Sequence, residues 1–103
     1  SQVCVSDDAI HSAEAQVAKA KAELDKAQDD LNRRQQLSAT GAISKEELST
    51  AQAALNNAQA GYNLAQAGWA QAIVKLLYYS YKIRKKLEIT HRLSRSTILY
   101  AYV

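Results

Sequence analysis

The strongest constraint in this chain is a mirror. Apolar residues recur in steps of three and four along Ile10, Ala13, Val17, Ala20, Leu24, Ala27 and Leu31, and again along Leu48, Ala51, Leu55, Ala58, Tyr62, Ala65, Trp69 and Ala72. Each run is a heptad pattern, with large side chains at one seam position and alanine at the other. If the chain folds back at Gly41, residues whose numbers sum to 82 face one another. The layers are then Ile10/Ala72, Ala13/Trp69, Val17/Ala65, Ala20/Tyr62, Leu24/Ala58, Ala27/Leu55, Leu31/Ala51 and Arg34/Leu48. Seven of these eight layers oppose one large side chain to one alanine. A large knob facing a small one lets two helices approach closely without voids. The pattern predicts an all-α fold, an antiparallel two-helix coiled-coil hairpin with arms near 9–38 and 44–75. Arms of about 28 residues would be ~42 Å long at the helical rise.

The turn, residues 38–44, carries its own signals. Gly41 is free to take the left-handed conformation that ends a helix. Ser44 is placed to cap the second arm, and Glu47 three residues on completes a capping box. Ile43 before the cap and Leu48 four residues after it form a hydrophobic staple. Two arginines, Arg33 and Arg34, stand on the last turns of the first arm. Asp29–Arg33 and Asp30–Arg34 are i,i+4 pairs in the favourable order, and cations suit a helix C-terminus. Read from the residues alone, these are solvated, salt-paired side chains that need no partner.

Composition explains why such a hairpin wants company. Apolar residues make up 48% of the chain, but alanine inflates the figure, and Phe, Met and Pro are absent. One seam of leucines against alanines buries little, while ordering costs about 1–2 kcal/mol per residue. Ala54, Gly61 and Gly68 recur every seven residues on one edge of the second arm. They read either as tolerated surface glycines or as a seat for the close approach of a second hairpin.

Charge divides the chain. Residues 73–103 hold seven Lys and Arg (Lys75, Lys82, Arg84, Lys85, Lys86, Arg92, Arg95) against one Glu, net +6, while residues 1–72 hold six against nine, net −3. With Tyr78, Tyr79, Tyr81, Tyr100 and Tyr102 interleaved, the tail 76–103 supports a rival function. A stand-alone hairpin could bind nucleic acid by charge and stacking, or lie on an anionic membrane surface; the third reading is a solvated tail.

The run "AELDKAQDDLNRRQQLSATGAISKEELSTAQAALNNAQ" resembles the α-hairpin of periplasmic adaptor (membrane fusion) proteins, and within the HlyD superfamily it is most similar to the EmrA type. Over residues 8–75 the resemblance implies the coiled-coil part of a multidrug efflux adaptor. Such adaptors join an inner-membrane exporter, here of the major-facilitator type, to a TolC-like outer-membrane channel. Their tips carry an Arg-x3-Leu-x6-Ser pattern, which falls on Arg33, Leu37 and Ser44. The resemblance makes Arg33 a polar and Leu37 an apolar contact to the channel, leaves Ser44 its cap, and keeps Arg34 over Leu48. It implies a ring of hairpins, a homo-oligomer in which the Ala54–Gly61–Gly68 edge meets a neighbour. It also implies a periplasmic, inner-membrane-associated location. Residues 1–8 look like the last strand of a first lipoyl-like half, and "LLYYSYKIR" (76–84) resembles the strand that returns into the second half. The pattern is lost at Lys85–Lys86, which suggests a truncated or frame-shifted adaptor.

Nothing suggests catalysis. His11 and His91 lack carboxylate or cysteine partners at ligand spacing, and Cys4 has no base or disulfide partner, so neither a metal site nor a nucleophile is expected. There is no Gly-rich phosphate loop, cofactor motif or small-molecule site. No apolar stretch reaches the roughly 18 residues of a membrane span, and "SQVCVSDDAI" has no signal-peptide pattern.

Overall fold

A computed structural model describes residues 2–102, with side chains described for Val5 and for residues 7–95. Ser1, Val103 and the side chains of Cys4, Tyr100 and Tyr102 lie outside the described residues. Two helices make up the fold: α1, Gln2–Ala39, and α2, Lys45–Tyr102. They pack side by side into a rod 93 Å long and about 15 Å thick.

The seam read from the heptads is the seam that forms. Ile10, Leu24, Leu31 and Ala51 are buried. Ala13, Val17, Ala20, Ala27, Arg34, Leu48, Leu55, Ala58, Tyr62, Ala65 and Ala72 are all half-buried, while their neighbours on the outer faces are open. Trp69, whose indole overhangs the seam edge, is 38% exposed. The clefts between the helices preserve the register. Glu14 and Val17 share one with Gln66 and Trp69, Ala20 shares another with Ala65 and Gly61, and Leu31 shares a third with Leu48 and Gln52. The Lys21 ammonium lies 5.8 Å from the centre of the Tyr62 ring, as the Ala20/Tyr62 layer requires.

The segments expected as strands are helix. Residues 2–8 belong to α1 and residues 76–84 to α2. The reason is local. No glycine or proline follows Gly68, and helical spacing brings compatible side chains together. Lys85 Nζ donates to Tyr81 Oη (3.1 Å), Arg92 Nη2 to Glu88 Oε1 (3.1 Å) and Thr90 Oγ1 to the Lys86 carbonyl (2.8 Å). A strand needs a neighbour to satisfy its backbone, whereas a helix satisfies its own. Near the other terminus, His11 is not isolated as the sequence suggested. Its ring nitrogens lie 3.5 Å from Asp7 and 3.7 Å from Glu14, one helical turn to either side.

The turn is built by paired backbone devices. Gly41 has φ +79°. Its N–H donates to the Ser38 carbonyl (3.0 Å), and the Ala42 N–H donates to the Leu37 carbonyl (3.1 Å). Together these form a Schellman motif. Thr40 Oγ1 adds a bond to the same Leu37 oxygen (2.7 Å). A Cβ built on Gly41 meets nothing within 4 Å, so any cost of substitution there is conformational rather than steric. Gly41→Val should lower stability by about 1–2 kcal/mol, with Gly41→Asn, which tolerates the left-handed region, losing less. Thermal melts followed by circular dichroism check the ranking; equal melting of all three proteins would show that the turn does not depend on this conformation.

Candidate functional site: the hairpin tip

The tip gathers every residue of the sequence motif within two helical turns of the reversal. Ser44 is the N-cap of α2: its Oγ accepts the Glu47 N–H (3.2 Å), and its carbonyl accepts the Leu48 N–H (3.2 Å). The Glu47 carboxylate does not close the reciprocal half of the expected capping box. It lies with Glu46 in the first turn, where a negative charge favours the helix N-terminus. Ile43 and Leu48 are both half-buried, in keeping with the expected staple.

The arginines are held differently from the sequence expectation. Asp30, rather than Asp29, takes both. Its Oδ1 accepts from Arg33 Nη2 (3.1 Å) and its Oδ2 from Arg34 Nε (3.0 Å). Asp30 lies on the seam edge and is 36% exposed, as is Arg34, so the carboxylate is held between the two guanidinium groups. The Arg33 side chain is 70% exposed. A guanidinium carries five N–H donors, and the ion pair occupies one of Arg33's, so most of this group faces solvent on a tethered stem. Leu37 follows one turn later and is 43% exposed, although its carbonyl is the acceptor on which the Schellman motif converges. The tip therefore presents a positioned cation and an open apolar side chain beside a capped turn. The Arg33 head is held by Asp30, and the backbone at Leu37 is held by the bonds that close the turn.

The Ala54–Gly61–Gly68 edge is open. A Cβ at Gly61 or at Gly68 would meet nothing within 4 Å. Gly61 lines a shallow groove with Gln16, Lys19 and Glu23, and Gly68 lines the next with Ala9, Ser12 and Ala13. Arg33 and Leu37 stand two heptads on from Lys19 and Glu23, which puts them on the same flank. The opposite flank bears amide pairs that the sequence reading overlooked: Gln28–Asn32, Gln52–Asn56 and Gln59–Asn63, each at 3.0–3.1 Å. Their signal is the i,i+4 Gln/Asn spacing.

Elsewhere the surface is plain. Lys21 donates to Asp25 (3.0 Å); this hydrogen bond, followed by the charge of the same carboxylate, raises the lysine pKa above its ordinary value. Among the described residues no group of three or more His, Cys, Asp or Glu is arranged to hold a metal ion. Among the described residues no helix is long and apolar enough to cross a membrane.

A family model described as "RND MFP, alpha-helical hairpin domain" matches residues 9–79. The matched stretch takes in both arms of the seam, the turn and the start of the basic segment. Its RND designation differs from the EmrA type that the run around the turn resembles. A search of curated proteins gave no match.

Proposed function

Because the chain belongs to the α-helical hairpin family of RND membrane fusion proteins, we propose that its tip docks end-on to a TolC-like outer-membrane channel in a tripartite multidrug export complex. The family is one of periplasmic, inner-membrane-anchored adaptors, non-enzymatic connectors between a transporter and a channel. The inner-membrane partner in this reading is an RND exporter, in line with the family match, rather than one of the major-facilitator type. The observation that carries the reading is the tip itself, where Arg33 is tethered to Asp30 with most of its donors open to solvent and Leu37 is exposed on an ordered turn. In the docked state Arg33 gives charged hydrogen bonds to the channel's entrance helices. Leu37 supplies apolar contact, and Ser44 holds the turn that presents them.

A cysteine at position 37, in a full-length adaptor carrying this hairpin, is expected to crosslink to cysteines at the channel entrance. A cysteine at position 22, on the outer face of α1, should not. Equal crosslinking from both positions, or none from 37, would contradict end-on docking.

Side-by-side packing through Ala54, Gly61 and Gly68 completes the reading, since one rod about 15 Å thick cannot ring a channel mouth. Gly61→Leu should leave the hairpin folded, since nothing lies within 4 Å of the new Cβ. Loss of a helical glycine should even add roughly 0.8–1 kcal/mol of helix stability. The same change should abolish adaptor–adaptor crosslinking along this flank. Unaltered crosslinking would return both glycines to a passive surface role.

A further inference from the structure

Beyond about residue 80, α2 continues with no second helix beside it. In the hairpin register Gln2 lies opposite residue 80, and Val5 shares a cleft with Tyr79. Every described residue from 81 to 95 is exposed. The face that α2 turns to α1 nevertheless runs on in phase. Ile73, Leu76 and Ser80 are half-buried at the base of the seam, and steps of three and four carry the same line to Ile83, Leu87, Thr90 and Ser94. None of these seven positions is charged, whereas eight of the other sixteen residues from 73 to 95 are, so charge is kept off one line of the helix rather than spread around it. Thr90 donates its hydroxyl to the Lys86 carbonyl (2.8 Å) and so brings no unmet donor to the line. By the helical rotation per residue, Lys82 and Lys86 stand to one side of it and Arg84 and Arg95 to the other. Glu88, the one acid of residues 77–95, is paired with Arg92.

We infer that the stripe Ile83, Leu87, Thr90 and Ser94 seats an acidic amphipathic helix of a partner polypeptide, antiparallel to α2 and in line with α1. Two observations select that occupant. The first is continuity. The stripe prolongs the interface that α1 already covers, and it is a seam of the narrow width that one facing helix takes. The second is charge. Residues 77–95 are net +5, and basic side chains flank the stripe on both sides, where a facing helix would place its flanking carboxylates. α1 follows the same rule: over residues 2–18, opposite 64–80, it carries Asp7, Asp8 and Glu14 and no Lys or Arg. A second copy of the overhang would instead set two net +5 segments together. A nucleic acid would meet the cations but leave Ile83 and Leu87, 45% and 65% exposed, in water. A bilayer needs an apolar face far wider than one stripe. A helix in line with α1 lengthens the rod without bending it and leaves the tip free.

The probe is a labelled synthetic peptide of three heptads, with leucine on its seam and glutamate on both flanks. The 103-residue chain is titrated into it and binding is followed by fluorescence anisotropy. A lysine-flanked peptide, and a glutamate peptide with its leucines moved off the seam, are the controls. The first peptide should bind at least about tenfold tighter than either control, and more weakly as salt rises. Leu87→Gln should weaken it by at least about tenfold, whereas Ile89→Gln, the same kind of loss off the stripe, should cost less than about threefold. Neither variant should alter the hairpin melt, since both positions lie beyond the reach of α1. The inference is overturned by absence of binding, by equal binding of the glutamate and lysine peptides, or by equal losses in the two variants. Dimerisation of the chain in analytical ultracentrifugation that Leu87→Gln removes would also overturn it, by making a second copy the occupant. So would tighter binding to a DNA duplex at the same ionic strength. Arg33→Asp should bind the peptide normally, so this inference and the docking of the tip fail separately.

Discussion

Leu24→Asp should abolish the cooperative melt of the hairpin and most of its helical signal. Leu24 is 9% exposed at the middle of the seam and faces Ala58 in the register. Truncating a buried leucine alone costs about 2–5 kcal/mol. The new carboxylate would also lose hydration on a surface that offers it no donor. A domain with a broad core absorbs such a loss; this rod is one seam thick, with Ile10, Leu24, Leu31 and Ala51 as its buried apolar residues among those described. Ala22→Asp is the matched control, the same charge on the exposed face of the same helix. Its cost should stay near the propensity difference, under about 1 kcal/mol. Far-ultraviolet circular dichroism against temperature distinguishes them. Equal melts for the two variants would mean that the layers are misregistered.

Arg33→Asp should weaken docking to the channel by about 2–5 kcal/mol, the range for loss of one member of a hydrogen-bonded charge pair at an interface. The hairpin itself should lose far less. The exposed Arg33–Asp30 contact belongs to the class worth at most ~1 kcal/mol, and Asp30 keeps its bond to Arg34. The reversal does place a third acid, at position 33, within about one turn of Asp29 and Asp30 near the negative end of α1, at a further cost of a few tenths of a kcal/mol. Arg33→Gln avoids that cost. It should fold as the parent does and still dock poorly, which separates contact from folding.

How much of this was legible beforehand follows from where the information lies. The seam could be read because large-against-alanine complementarity is a pairwise property of sequence, and a fold-back at one glycine aligns every layer. The turn could be read because Gly41, Ser44 and Glu47 act through their own backbone neighbours. The choice of Asp30 over Asp29 could not. Both aspartates sit within reach of Arg33, and the decision depends on Asp30 being the one on the seam edge, beside Arg34. Residues 2–8 and 76–84 were misread because Val, Ile and Tyr fit strands as well as helices, and short apolar runs do not separate the two. The uninterrupted absence of glycine and proline after Gly68 was the signal for continuation. At the tip, the motif Arg33–Leu37–Ser44 could be read as a pattern, but the exposure of Leu37 and the spare donors of Arg33 emerge only from the folded turn.

The most direct test of end-on docking is the equilibrium affinity of a full-length adaptor carrying this hairpin for the purified channel. It should be measured for the parent, Arg33→Gln and Lys26→Gln. Lys26 lies two turns from Arg33 toward the base and is exposed on the same face, so it matches the charge change without belonging to the tip. The account predicts a loss of roughly 30-fold or more for Arg33→Gln, the equivalent of about 2 kcal/mol, and affinity within about threefold of the parent for Lys26→Gln. Parental affinity in Arg33→Gln, or equal losses in both variants, would contradict it.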